Sequence, residues 1–152
     1  MQFASSRSAE TTETFDISEL LETTIMKYEK KEITTNISKE VFLDGRKNLI
    51  QRCFGNLIDN AIKYSKNVHI SLRKLNTNIL IIIDDDGPGI PENERENVFK
   101  PFYKIDKSRG DSKSSVGLGL SIASDIVKSH GGNIKLETSP TNGLRIKVIL
   151  PF

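Results

Sequence analysis

The sequence holds one cysteine, Cys53, so it cannot form an internal disulfide, which fits a reducing compartment. No apolar run approaches the roughly 20 residues that span a bilayer. The N-terminus lacks the apolar core of a signal peptide. The chain therefore reads as soluble, though it can still be a piece of a membrane-bound protein. No basic block stands out, and a net charge of +2 gives no sign of a nucleic-acid partner. No Gly-x-x-x-x-Gly-Lys-Ser/Thr loop, zinc-ligand spacing, serine-hydrolase elbow or internal repeat is present. His69 falls in a predicted strand and His130 at a predicted helix end before Gly131, and neither has an acidic or nucleophilic partner in local register. Cys53 lies on an apolar helical stripe and reads as a buried, inert thiol.

What is present suits one domain: 152 residues, 36% hydrophobic and 28% charged. Residues 1–14 carry little apolar content and read as a linker or the frayed end of an upstream element; residues 15–152 read as the folded domain. Asp16 or Ser18 can cap a helix with one apolar face over Ile17, Leu20, Leu21, Thr24 and Ile25. Ile33 to Ile37 and Val41 to Leu43 look like short strands. A long helix from about Arg46 to Lys63 has a broad apolar stripe, and Asn56, Asn60 and Lys63 share another face. Strands follow at about Asn67 to Leu75 and Asn78 to Asp84, then a short helix or turn over Glu92 to Asn97. Tyr103 to Val116 reads as a long loop, either a lid or plain disorder. Leu118 to Ser129 is an amphipathic helix, and Asn133 to Thr138 with Leu144 to Leu150 form a hairpin turned at Thr141-Asn142-Gly143. The fold class is α+β: a two-layer sandwich with helices on one face of a mostly antiparallel mixed sheet.

The chain is organised around Asp84 to Leu120. Ile79 to Ile83 reads as a buried strand ending in Asp84-Asp85-Asp86-Gly87-Pro88-Gly89-Ile90. An ionised carboxylate only accepts hydrogen bonds, and the exocyclic amine of adenine donates them. A carboxylate fixed at a strand end, Asp85, can therefore select adenine, while Gly87 and Gly89 let backbone come close. The bland alternative is a turn, since Asp-Gly and Pro-Gly are common turn dipeptides. A calcium loop is rejected, because Arg95 falls where a bidentate Glu is needed. Gly117-Leu118-Gly119-Leu120 opens a helix whose free N–H groups suit phosphates, or else packs closely on a strand. Asn60 can offer a neutral oxygen to Mg²⁺, and Lys63 can meet phosphate.

Four segments carry a resemblance to one family. Asn56-Leu57-Ile58-Asp59-Asn60-Ala61-Ile62-Lys63-Tyr64-Ser65 resembles the N box of sensor histidine kinases, and Asp85-Asp86-Gly87-Pro88-Gly89-Ile90-Pro91 their first glycine box. Val98-Phe99-Lys100-Pro101-Phe102 resembles the F box, and Gly117-Leu118-Gly119-Leu120-Ser121-Ile122-Ala123 the second glycine box. The order and spacing match from about Phe15 to Phe152, and the triple Asp is similar to that of the EnvZ-like osmosensing kinases.

The resemblance implies a catalytic, ATP-binding domain of the gyrase, chaperone and MutL superfamily, with ATP and Mg²⁺ as cofactors. It implies that Asn60 is the Mg²⁺ ligand, that Asp85 reads adenine, and that Lys63 and Tyr64 lie near phosphate and base. Asn56, Gly87, Gly89, Ile90, Phe102, Lys104, Val116, Gly117, Leu118, Gly119 and Leu120 complete the implied ATP site. Lys104 stands where the family often has Arg, so a point charge replaces a fork. The phosphoacceptor histidine is expected on a separate dimerisation domain, since neither His69 nor His130 has its sequence context. The implied reaction is in-line transfer of the ATP γ-phosphoryl to that histidine, with a response-regulator receiver domain as the next partner. The fragment is expected to be a cytoplasmic monomer, its parent a homodimer anchored in a bacterial inner membrane. The rival readings are an anti-sigma-factor-type serine kinase, an ATPase clamp, and a nucleotide-binding module without kinase activity.

Overall fold

In this computed structural model residues 10–28, 32–100 and 116–152 are described. Strand β1 (Glu13–Asp16) begins two residues inside the segment expected to be a linker. Asp16 ends it and caps helix α1 (Ile17–Ile25), accepting the Glu19 N–H at 3.0 Å. Strand β2 (Glu32–Ile37) and strand β3 (Phe42–Gly45) follow, then helix α2 (Lys47–Tyr64). Strands β4 (Asn67–Lys74) and β5 (Asn78–Asp85) form a hairpin. Two 3₁₀ turns, Glu92–Glu94 and Asn97–Phe99, precede helix α3 (Val116–Ser129), and strands β6 (Asn133–Thr138) and β7 (Leu144–Pro151) close the domain. The loop expected from Tyr103 to Val116 lies outside the described residues, except that Val116 opens α3.

The main sheet has the order β2-β4-β5-β7-β6, and β1 pairs with β3 in a separate two-stranded sheet. Within the main sheet β2 runs parallel to β4 and the other neighbours are antiparallel. The two short strands after α1 thus belong to different sheets, a separation that local sequence does not encode. Ile70, Leu72, Ile79, Ile81, Ile83, Ile146 and Val148 are buried on the sheet's inner face. Leu80 and Ile82, which the apolar run placed in a buried strand, are only half-buried on the other face, because side chains alternate along a strand.

Helix α2 buries Ile50, Cys53, Phe54, Leu57, Ile58 and Ala61 at three- and four-residue steps. It packs against α3 and over β5, while α3 lies over β6. Each large side chain buried there contributes about 1.5–3 kcal/mol. Burial pushes the Cys53 thiol up to about 12, which makes it inert as expected. Among the described residues no helix is long and apolar enough to cross a membrane.

Candidate functional site

The site forms where β5 ends, beside the C-terminal turn of α2 and the β6–β7 turn. Three consecutive aspartates leave β5, and alternation sends them to three different tasks. Asp84 faces the open side of the sheet and accepts both arms of the Arg145 fork, at 2.8 Å from Nε and 2.9 Å from Nη2. Asp86 accepts the backbone N–H groups of Lys66 at 2.9 Å and Asn67 at 3.0 Å, and the Asn67 side-chain amide at 2.8 Å. Those bonds fix the link from α2 into β4 and hold the Asp86 carboxyl below the usual range.

Asp85 is 5% exposed and points to the helical side. Its Oδ1 accepts the N–H groups of Gly87 at 2.9 Å and Leu144 at 3.0 Å. Its Oδ2 has no hydrogen bond among the described residues. Its backbone carbonyl accepts Ser139 Oγ at 2.7 Å and Thr141 Oγ1 at 3.1 Å. Burial pushes this carboxyl up, the two backbone N–H groups pull it down, and the charges of Asp86 and Asp84 push it up further. The result is a rigidly held carboxylate with one acceptor oxygen uncommitted.

The glycines around it are required by backbone contact. A Cβ on Gly87 would lie 2.4 Å from the Tyr64 carbonyl, and one on Gly143 would lie 2.1 Å from the Asp85 carbonyl. Gly89 has φ +74° and faces the Gly143 carbonyl. The first two close approaches join protein to protein, so Gly87 serves as the joint between the β5 end and α2. Gly119, by contrast, has open space where a Cβ would stand.

On α2, Asn60 is 8% exposed and its Oδ1 makes no hydrogen bond among the described residues. A buried, unpartnered amide oxygen is costly unless a ligand completes it. Its chemistry fits a hard cation, which prefers neutral or anionic oxygen. No group of three or more His, Cys, Asp or Glu able to hold a metal is present among the described residues. Asn56 is half-buried one turn earlier, and Lys63 and Tyr64 form the last turn. Ile90 and Leu120 are both buried in the core cluster, and Phe99 packs against it. Of the other sequence-predicted positions, Phe102 and Lys104 lie outside the described residues. Val116, Gly117 and Leu118 form the first turn of α3, with side chains outside the described ones.

Several residues at the site carry no motif signal. Ser139, Thr141 and Leu144 hold Asp85 from the turn that the sequence places at Thr141-Asn142-Gly143, with no sign there of a link to Asp85. Arg95 donates to the Ile90 carbonyl at 3.0 Å and to Thr138 Oγ1 at 2.9 Å. Neither histidine joins the site: His69 bonds Thr34 Oγ1 at 2.7 Å, and His130 lies at the far end of α3.

Known proteins share this sequence pattern and fold. The profile of the family described as "Histidine kinase-, DNA gyrase B-, and HSP90-like ATPase" matches residues 45–152. The chain is 39% identical over 107 residues to the sensor histidine kinase GtrS of Pseudomonas aeruginosa, covering 70% of this chain and 22% of that protein. It is 36% identical over 111 residues to the sensor histidine kinase CpxA of Escherichia coli, covering 72% of this chain and 24% of that protein. It therefore spans about a quarter of the curated relatives it matches. The solved structure of a mycobacterial sensor histidine kinase, MprB, superposes with a TM-score of 0.80 at 26% identity, covering 93% of this chain and 97% of that one. This chain belongs to the histidine kinase-, DNA gyrase B- and HSP90-like ATPase family.

Proposed function

We propose that this chain is the ATP-binding catalytic domain of a two-component sensor histidine kinase. It would transfer the γ-phosphoryl group of ATP to a histidine on a dimerisation domain of the same parent protein. The observation that carries the reading is Asp85, a buried carboxylate with both backbone donors on one oxygen and the other oxygen free. Adenine's exocyclic amine is the matching donor, and a charge-assisted bond there is worth about 1.5–3 kcal/mol. Guanine presents a carbonyl at the same edge position and would set acceptor against acceptor.

Asn60 would hold Mg²⁺ through its unpartnered Oδ1. When bound, that ion neutralises charge on the phosphate oxygens. The remaining work of this chain is positioning: Asp85 fixes the base, and the first turn of α3 from Val116 to Leu120 offers N–H groups to phosphate. Lys63, Tyr64, Asn56, Gly87, Gly89, Ile90, Phe102 and Lys104 complete the proposed nucleotide contacts. The acceptor histidine would come from outside, as His69 and His130 are both engaged elsewhere. A receiver domain would then take the phosphoryl group, and the parent would be a membrane-anchored bacterial homodimer with this domain in the cytoplasm.

The test is to incubate the chain with γ-labelled ATP, Mg²⁺ and a histidine-bearing dimerisation domain. Acid-labile, base-stable label on the acceptor supports the kinase. Acid-stable label indicates a serine kinase instead. ATP binding without any transferred label indicates a nucleotide-binding module.

A further inference from the structure

We propose that Arg95 is a positioning residue for the adenine site, binding the loop that follows Asp85 to the turn that holds Asp85. The inference rests on the reading above, in which Ile90 is one of the nucleotide contacts. The loop from Gly87 to Pro91 contains two prolines, which have no N–H to donate. It runs between β5 and the first 3₁₀ turn without strand pairing, and its Pro91 carbonyl accepts the Glu94 N–H at 2.9 Å. Arg95 Nε donates to the Ile90 carbonyl at 3.0 Å, and its Nη2 donates to Thr138 Oγ1 at 2.9 Å.

Thr138 is the last residue of β6, and its neighbour Ser139 donates to the Asp85 carbonyl. Asp85 and Ile90 are therefore anchored on adjacent residues of one turn, the first directly and the second through Arg95. Ser139 Oγ also accepts the Gly143 N–H at 2.9 Å, which stiffens that turn from inside. Gly89, at φ +74°, approaches the Gly143 carbonyl from the loop side. The planar guanidinium suits this bridge because it presents two donors at a fixed angle, whereas a lysine ammonium can hold one end or the other. Arg95 also sits between Ile90 and the Asn97–Phe99 turn, which packs on α3. Its fork thus ties Ile90 to the end of β6 just ahead of that turn.

The experiment compares the unaltered chain with Arg95→Lys and Thr138→Val in NMR titrations with adenosine, guanosine and ATP, well below each variant's melting temperature. Each variant should bind adenosine and ATP more weakly by the same factor, about fivefold, the weight of one hydrogen bond. The preference for adenosine over guanosine should shrink in parallel. A purely structural role would lower the melting temperature and leave both affinities and the base preference unchanged, and that result overturns the proposal. If Arg95→Lys does not fold, Thr138→Val decides, since it removes one hydroxyl at constant shape. An unaltered chain that binds no adenine compound overturns the adenine-site reading and this proposal together. Normal binding by the unaltered chain and both variants overturns this proposal alone.

Discussion

The carboxylate of Glu10 accepts the backbone N–H of Asn48 at 2.7 Å, so a residue upstream of β1 caps the helix that carries Asn60. Helix α2 needs this help, because Arg46 at its N-cap makes no side-chain cap bond and its first turn holds no acid. Glu10→Ala is expected to destabilise the domain by about 1 kcal/mol, read as a lower urea midpoint at unchanged slope. Glu10→Gln should recover only part of that, since it keeps an acceptor and loses the charge facing the helix dipole.

Asp85 should show opposite effects on stability and on binding. Its folded-state carboxyl lies above the ordinary range, so the folded protein binds its proton more tightly than the unfolded chain does. The corresponding stabilisation is present in acid and is lost as pH rises through the folded-state value. At neutral pH the ionised, buried carboxylate is therefore a cost. Asp85→Asn, with its amide oxygen still accepting from Gly87 and Leu144, is expected to raise the melting temperature and to weaken ATP binding by tenfold or more. For the unaltered chain, ATP affinity should fall on acidification before ordinary carboxylates titrate, and Asp85→Asn should flatten that profile. Calorimetric titration across pH, with a melting curve at each point, measures both.

His130 provides a second pH dependence of the other sign. Its Nε2 accepts the Arg46 N–H at 3.0 Å and its Nδ1–H donates to the Ile126 carbonyl at 2.8 Å, which requires the neutral ring. Burial holds its pKa below the ordinary histidine value; the Ile126 bond and Glu10 raise it, and Arg46 lowers it. The unfolded chain thus takes up this proton first, and stability should fall as pH drops from about 6.5 toward the folded-state value. His130→Gln should remove that slope. Urea midpoints measured between neutral and mildly acidic pH test the expectation.

Asn60→Ala should separate the ion from the nucleotide. In EDTA the variant and the unaltered chain are expected to bind ATP with similar affinity. On adding Mg²⁺ only the unaltered chain should tighten. Removal of an unpartnered buried oxygen should leave thermal stability within about 1 kcal/mol of the parent or above it, as the small cavity offsets part of the gain. A full magnesium enhancement in Asn60→Ala would remove Asn60 from the ligand set.

How much of this was legible in the sequence depends on the range of each interaction. Helix α2 and its Asn60 face followed from a three- and four-residue period, which is local. The five-residue apolar run located β5, yet its period could not tell which of three aspartates would turn inward until the sheet's register was known. The pairing of β1 with β3, and of β2 parallel to β4, joins residues 26 or more positions apart and has no short-range mark. Arg95, Ser139 and Thr141 were missed for the same reason: their partners lie on other strands or loops, and polar residues in turns are ordinary. Glu10 lay in a segment read as linker because one carboxylate capping a distant helix leaves no pattern.

The Asp84–Arg145 fork has a consequence for the reading frame of β5. Along a strand, a one-residue slip exchanges the two faces. Such a slip against β7 would turn the buried carboxylate of Asp85 outward and bring a different acid inward, with the charge of the chain unchanged. The fork on the outer face acts as an alignment pin against that error, and Asp86, bonded across to Lys66 and Asn67, is a second pin two residues on. Deleting any one of the three aspartates would therefore be a frameshift in the site as well as the loss of one negative charge.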